Sequence, residues 1–301
     1  MSTHHLLDIQ SLSTQDIEFL LQRASALKRG AAPRRLNGAI ANLFLEPSTR
    51  TRVSFELAAK CLALDVVNIE ATHSSVSKGE SVLDSARTVS AMGVRALVVR
   101  QSVAGGVHDL VVGLDDWPVA LINAGDGVNQ HPSQALLDAA LLHDRGLDWS
   151  RLRLAIIGDI NHSRVARSSI ELYRRLGVHE IRLAGPTEWL PNELSAHNVH
   201  CVHSVDEAIR EVDVVIALRI QRERMQGQPG LDDAAFHATW GLTEARFAQL
   251  AEHVLVMHPG PINRGVELAG IVADHARSLI LQQVQMGVFM RTAIFEWLLP
   301  D

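Results

Sequence analysis

Phe44-Leu45-Glu46-Pro47-Ser48-Thr49-Arg50-Thr51-Arg52-Val53-Ser54-Phe55-Glu56 is the stretch around which the rest of the chain arranges itself. An apolar run ends at Leu45, Pro47 breaks it, and helix-compatible sequence resumes within a few residues. Ser48, Thr49, Arg50 and Thr51 therefore fall at the N-terminus of a helix that follows a strand. Free backbone N–H groups, the positive end of the helix dipole, three hydroxyls and a guanidinium converge there, and a phosphate matches all of them. The plain alternative is a Ser/Thr cap beside two surface arginines, and the density of the cluster behind a strand argues against it. No G-x-x-x-x-G-K-[ST] run exists, so this is not a Walker loop.

Outward from that strand and helix, strand-like and helix-like segments alternate along the whole chain, which predicts α/β architecture with parallel sheets and crossover helices. An opening helix is signalled by Ser13 three residues before Asp16, then Ile17, Leu20, Leu21, Ala24 and Leu27 on one face, with Gly30 as a stop. Strands are predicted at Ala39 to Leu45, Val66 to Glu70, Ala96 to Arg100 and Val119 to Ile122, with helical stretches at Ser54 to Leu64 and Ser81 to Met92. Pro132 to His143 reads as a helix with Ala135, Leu136, Ala139, Ala140 and His143 on one side, and Arg145-Gly146 interrupts the pattern. A second series follows, with strands near Leu154 to Ile157, Ile181 to Ala184, Val199 to Val202, Val214 to Leu218 and Val254 to Met257. The expected domains are 1–143 and 144–275. Periodicity alone does not assign the last helix, about Ala276 to Leu298, and residues 276–301 are expected to pack back on the first domain. The Gly- and Pro-containing stretch Gln221 to Leu231 is either a closing loop or a solvated connection.

Composition removes several classes of function. The 301 residues amount to about two domains at roughly 150 residues each. A content of 47% hydrophobic and 21% charged residues is that of a soluble globular protein, and no apolar run approaches the ~20 residues of a bilayer-spanning helix. The start, Met1 to Leu7, lacks the basic and apolar blocks of a secretory signal, so a cytoplasmic location is expected. A net charge of -6 with 4% aromatic residues disfavours nucleic acid as a partner. Cys61 and Cys201 form no C-x-x-C pair and sit among apolar residues, which predicts buried free thiols. His197, His200, Cys201 and His203 lack a second ligand pair, so no metal is expected. Ile156-Ile157-Gly158-Asp159 opens like a dinucleotide turn, but Ile160-Asn161-His162-Ser163 lacks the glycines that would complete one, and no cofactor is expected.

Glu46-Pro47-Ser48-Thr49-Arg50-Thr51-Arg52 with Ser54-Phe55-Glu56 resembles the carbamoyl-phosphate signature of the aspartate and ornithine carbamoyltransferase family. Ser75-Val76-Ser77-Lys78-Gly79-Glu80, His131-Pro132-Ser133-Gln134 and His258-Pro259-Gly260-Pro261 match further family segments in the same order, spanning nearly the whole chain. The ornithine enzymes typically carry His-Cys-Leu-Pro where this chain has His258-Pro259-Gly260-Pro261. That difference, the following Ile262-Asn263-Arg264-Gly265-Val266-Glu267 and the Lys78-Gly79-Glu80 loop resemble the aspartate branch.

The resemblance implies two doubly wound parallel-sheet domains with the active site in the cleft between them. It implies transfer of a carbamoyl group from carbamoyl phosphate to the α-amine of L-aspartate, an early step of pyrimidine synthesis, in a homotrimer with shared active sites. Carbamoyl transfer to ornithine and a non-catalytic homologue acting as an assembly partner stand as alternatives, and a regulatory or dihydroorotase-like chain is a conceivable companion. By resemblance Arg50, Thr51, Arg100 and His131 are the catalytic group; with Ser48, Thr49, Gln134, Gly260 and Pro261 they bind carbamoyl phosphate. Lys78, Arg164, Arg219 and Gln221 are the matching aspartate ligands. Lys78 and a loop serine, Ser75 or Ser74, are expected to come from the neighbouring subunit. Charge logic agrees, because an acceptor with two carboxylates beside a phosphate calls for arginines, whereas ornithine's ammonium calls for acidic groups. Arg164 and Arg219 both follow predicted strand ends, where α/β proteins bind ligands.

Overall fold

The computed structural model describes residues 5–70, 79–191, 197–225 and 232–300. Two compact units divide the chain, Met1–Arg145 with Val284–Asp301, and Gly146–Gln283.

The first unit begins with α1 (Thr14–Lys28), started by a full capping box in which Ser13 and Asp16 satisfy each other's backbone N–H groups; such a cap contributes about 1 kcal/mol. Its buried face is Ile17, Leu20, Leu21, Ala24, Ser25 and Leu27. There follow β1 (Ala39–Phe44), α2 (Thr49–Cys61), β2 (Asp65–Glu70), α3 (Val82–Ala91), β3 (Ala96–Gln101), α4 (Gly106–Gly113), β4 (Ala120–Asp126) and α5 (Pro132–Asp144). The strands form one parallel sheet in the order β2-β1-β3-β4. Of the two edge strands β2 is largely exposed, whereas β4 is as buried as β1 and β3 because its outer edge is covered by the N-terminal segment, the Leu6 amide donating to the Leu121 carbonyl at 2.8 Å. Ala41, Leu43, Leu97, Val99 and Leu121 pack with Ala86 and Val89 of α3 and with Val107 and Leu110 of α4.

The second unit carries β5 (Arg153–Gly158), α6 (Arg164–Arg175), β6 (Glu180–Ala184), β7 (Val199–Cys201), α7 (Val205–Ala208), β8 (Val214–Leu218), α8 (Asp233–Trp240), α9 (Glu244–Gln249), β9 (Leu255–Met257) and α10 (Gly270–Ala273). Its sheet is also all parallel, ordered β7-β6-β5-β8-β9. The last helix, α11 (Ile280–Leu298), begins four residues after the predicted start at Ala276. Its C-terminal turns are tied to the first unit, with Glu296 accepting from Arg23 Nε at 2.5 Å and Asp16 accepting from Trp297 Nε1 at 2.9 Å.

Three readings of the sequence need correction. Cys61 and Cys201 are both exposed: one ends α2 on its outer side and the other ends the edge strand β7, so apolar neighbours in sequence did not mean burial. The helix α5 has no single apolar face, because every residue from Pro132 to Leu142 is buried. It packs on both α1 and β4, which leaves His143 at the half-buried end. Helix α4 was not anticipated; it is short and starts at two glycines, Gly105 and Gly106, which read as breakers.

Candidate functional site

In each sheet the strand order reverses direction at one place, between β1 and β3 in the first unit and between β5 and β8 in the second. Open parallel sheets bind ligands outside the carboxyl ends of the strands at such a switch point, because the connections on either side run to opposite faces and leave a crevice. Four of the segments singled out in the sequence emerge from those four strand ends.

At the first switch point, β1 runs directly into the Ser48–Thr51 segment. Ser48 is the N-cap of α2 in extended conformation, φ -163 and ψ 93, and its side chain makes no cap hydrogen bond. The first-turn amides are thus not closed off by their own cap, as they would be in an ordinary Ser-capped helix. Thr51 is buried, Ser48 half-buried, and Thr49 and Arg50 exposed. Ser54 turns inward, its hydroxyl donating to the Arg50 carbonyl at 2.7 Å, and Phe55 in the second turn anchors α2 in the core; full burial of such a ring stabilises by roughly 1.5–3 kcal/mol. Arg100 lies opposite Phe44 in the neighbouring strand. The Leu45 amide donates to the Arg100 carbonyl at 2.8 Å, and the Glu46 carboxylate lies 3.6 Å from Arg100 Nε. The other end of the guanidinium donates to the Ala124 carbonyl at the end of β4, 3.1 Å away.

His131 and Gln134 reach the same unit on the next connection. His131 is the buried N-cap of α5, with Pro132 in the first turn. The loop before it is held by Asp126, a fully buried carboxylate. Its Oδ1 accepts from the Gln130 amide at 2.9 Å and Asn123 Nδ2 at 3.0 Å. Its Oδ2 accepts from the Gly105 amide at 2.9 Å and Asn129 Nδ2 at 3.0 Å. Gly127 adopts φ +52, and a Cβ there would stand 2.6 Å from the Ser102 carbonyl oxygen, so only glycine lets the two loops approach.

At the second switch point β5 ends at Gly158, whose missing Cβ would lie 2.4 Å from the Leu218 carbonyl oxygen of β8. Asp159 follows, fully buried. It accepts from the Gln221 amide at 2.9 Å and pairs with His162 Nδ1 at 2.8 Å, joining the two strand ends. Arg164 opens α6 and is buried, behind a Ser163 cap that accepts from the Ala166 amide at 3.2 Å. Arg219 leaves β8 and is held by Glu223, on both oxygens, and by Gln221 Oε1 at 3.3 Å. Burial pushes the Glu223 carboxyl up, but its bonds to Arg219 and its own backbone outweigh this and hold it below the ordinary carboxylate value.

The Gly260-Pro261 segment also belongs to the second unit. His258 Nδ1 accepts from the Gly260 amide at 2.8 Å, which leaves the proton on Nε2 to donate to Glu267 Oε1 at 3.0 Å. The same oxygen accepts from the Asn263 amide at 2.6 Å. Both side chains are buried.

Within the first unit the fold thus brings the segment Ser48 to Thr51 to the strand end beside Arg100, and within the second it ties Gln221, which holds Arg219, to Asp159, with Arg164 opening the helix after β5. Ser74, Ser75 and Lys78 lie outside the described residues. Among the described residues no group of three His, Cys, Asp or Glu could hold a metal ion, and no helix is long and apolar enough to cross a membrane. Sequence reasoning missed Asp126, Asp159 and Glu267 as organisers, and gave Glu46 no role. For Glu46 and Asp159 the available signal was a carboxylate just past the end of a predicted apolar strand, where an unpaired charge would be costly; Asp126 and Glu267 stand farther from their predicted strands and carry no such signal.

Comparison with known proteins runs in the same direction. Residues 4–144 match the family model described as aspartate/ornithine carbamoyltransferase, carbamoyl-P binding domain, and residues 150–298 match its Asp/Orn binding domain. The aspartate carbamoyltransferase catalytic subunit of Methylorubrum populi is 45% identical over 298 residues, covering 97% of this chain and 93% of that protein. That of Rhodococcus opacus is 44% identical over 300 residues, covering 96% and 95%. The crystal structure of aspartate transcarbamoylase from Trypanosoma cruzi in complex with carbamoyl phosphate and aspartate superposes with a TM-score of 0.86 at 29% identity, covering 99% of this chain and 98% of that one. With both halves matched and relatives aligned from end to end, the chain belongs to the aspartate/ornithine carbamoyltransferase family.

Proposed function

We propose that this chain transfers the carbamoyl group of carbamoyl phosphate to the α-amine of L-aspartate, giving N-carbamoyl-L-aspartate and phosphate. The observation that carries the proposal is the placement of matching chemistry at both switch points. An uncapped helix N-terminus beside Arg100 marks one, and Arg164 with Arg219 marks the other. The first suits a phosphate and the second a pair of carboxylates.

The neutral amine of aspartate attacks the carbonyl carbon, a C–N bond forms, and the bond from that carbon to the bridging phosphate oxygen breaks. The leaving phosphate carries away the amine proton, so no separate protein base is required. Thr51, Arg100 and His131 donate to the carbonyl oxygen as it gains charge, an arrangement in which loss of one donor costs about 10²–10³ in turnover. Arg50 and the amides of the first turn of α2 neutralise the phosphate. Gln134 and the backbone carbonyls of Gly260 and Pro261 accept from the carbamoyl NH₂, which offers only donors. Arg164, Arg219 and Gln221 hold the aspartate. Both half-sites must serve one pair of substrates, since holding amine and carbonyl together supplies much of the acceleration.

Ser75 and Lys78 are assigned to a neighbouring copy in a homotrimer. Support comes from Val53 and Leu57, apolar side chains one turn apart on α2 that are left 40% and 46% exposed. The deciding experiment is a carbamoyl-transfer assay on the purified chain with aspartate and with ornithine, together with sedimentation equilibrium. Product with aspartate alone, from a trimer, is expected; transfer to ornithine, or to neither amine, overturns the proposal.

A further inference from the structure

We propose that Asp138 is a positioning residue that sets the polarity of the Gln134 amide, so that the site selects a carbamoyl group over an acyl group of the same shape. This rests on the carbamoyl-transfer reading above.

Gln134 and Asp138 are one turn apart on α5, 8% and 0% exposed, and Gln134 Nε2 donates to Asp138 Oδ1 at 3.0 Å. An amide has a donor end and an acceptor end of nearly equal shape, and an ionised carboxylate only accepts. The carboxylate therefore draws the NH₂ end of Gln134 inward and leaves Oε1 on the other side. A carbamoyl group differs from an acetyl group by NH₂ in place of CH₃, and that NH₂ needs an acceptor. With the amide reversed, two NH₂ groups would confront each other.

A buried cation stands in the same core, Arg291 of α11, with its guanidinium carbon 4.9 Å from the centre of the Phe55 ring. Burial pushes Arg291 down to about 9, and the charge of Asp138 opposes that fall, so the residue is still a cation at neutral pH. Room for the guanidinium exists because residue 287, one turn earlier, is glycine: a Cβ there would stand 2.5 Å from Arg291 NH1.

The test compares wild type with Asp138→Asn, whose side chain can face Gln134 with either end. Steady-state kinetics give kcat and KM for carbamoyl phosphate, and competitive inhibition gives Ki for acetyl phosphate. We expect kcat/KM for carbamoyl phosphate to fall about 10- to 100-fold while Ki for acetyl phosphate stays within about two-fold, because only the first ligand uses the oriented acceptor. In a Gln134→Ala background the Asp138→Asn change should cost no further selectivity. Equal losses for both ligands, no loss, or an undiminished effect without Gln134 would overturn the inference. Arg291→Met is expected to shift selectivity the same way and takes over the test if Asp138→Asn does not fold. Absence of carbamoyl transfer by the wild-type chain would instead overturn the functional reading.

Discussion

The carboxylate of Glu46 lies 3.6 Å from Nε of Arg100, although 53 positions separate them in the chain between the parallel strands β1 and β3. The pair neutralises one edge of a guanidinium whose other edge reaches the Ala124 carbonyl, so Arg100 is held in place before any anion arrives. Preorganised donors of this kind need no rearrangement during reaction, which is the source of their catalytic value.

Removing that donor is the most direct test of the first half-site. Arg100→Ala and Arg50→Ala should each lower kcat by about 10²–10³ with fold and oligomeric state unchanged. Steady-state kinetics on the purified variants check this, and near-normal turnover in Arg50→Ala would remove the phosphate site.

Arg219 answers a different question. Its guanidinium is aligned by Glu223 and Gln221 at the end of β8, where a substrate carboxylate is proposed to dock. Arg219→Ala should raise KM for aspartate by tenfold or more, on the order of 1.4 kcal/mol of lost binding, with a smaller change in kcat. Asp159→Asn should follow the same pattern more weakly, because it loosens the Gln221 amide. Saturation curves in aspartate at fixed carbamoyl phosphate separate the two parameters.

Glu267 is predicted to matter for both stability and turnover. One of its oxygens takes the Asn263 amide and His258 Nε2, and His258 in turn holds the Gly260 amide. Glu267→Gln keeps the shape but weakens charge-assisted bonds at a buried site, and should cost about 1–3 kcal/mol of stability. Urea denaturation measures the cost; an unchanged midpoint would show that the Gly260 segment does not depend on this carboxylate.

Acid should destabilise the chain in a defined window. Hydrogen bonds from Arg182, Arg246 and Lys60 hold the carboxyls of Glu180, Asp206 and Glu56 below their ordinary values of 4.5, 3.8 and 4.5. A carboxyl whose value is lowered by folding binds more protons when unfolded, so stability rises with pH through that range. The contribution is complete above the unfolded value and is lost as pH falls through the folded one. Thermal midpoints are expected to be flat above about pH 5 and to drop below about pH 4, and Asp206→Asn should shallow the drop. A midpoint that holds steady or climbs as the pH is lowered below about 4 contradicts the assignment.

Much of the fold was legible because it is written in short-range patterns. Ser13 and Asp16 start α1 as their spacing predicts, and the short apolar runs from Ala39 and Leu154 are strands as the alternation of strand-like and helix-like segments predicts. The failures share a cause. A residue's exposure depends on what packs against it from elsewhere, so Cys61 and Cys201 misled, and α5 proved buried on all sides by α1 and β4. Asp126 and Asp138 look like any acidic residue in one dimension, and only their buried partners show why a charge is tolerated there.

By itself the order of residues determined the phosphate-matching helix start at Ser48 to Thr51, the alternation of strand and helix, and the arginines that follow strand ends. All of these are local consequences of backbone preference and side-chain period. Only tertiary structure decided that β1 lies beside β3 and β5 beside β8, and hence that Glu46 meets Arg100 and Asp159 meets Gln221. Strand order comes from hydrogen bonding and burial summed over residues far apart in the chain. No local pattern encodes that sum.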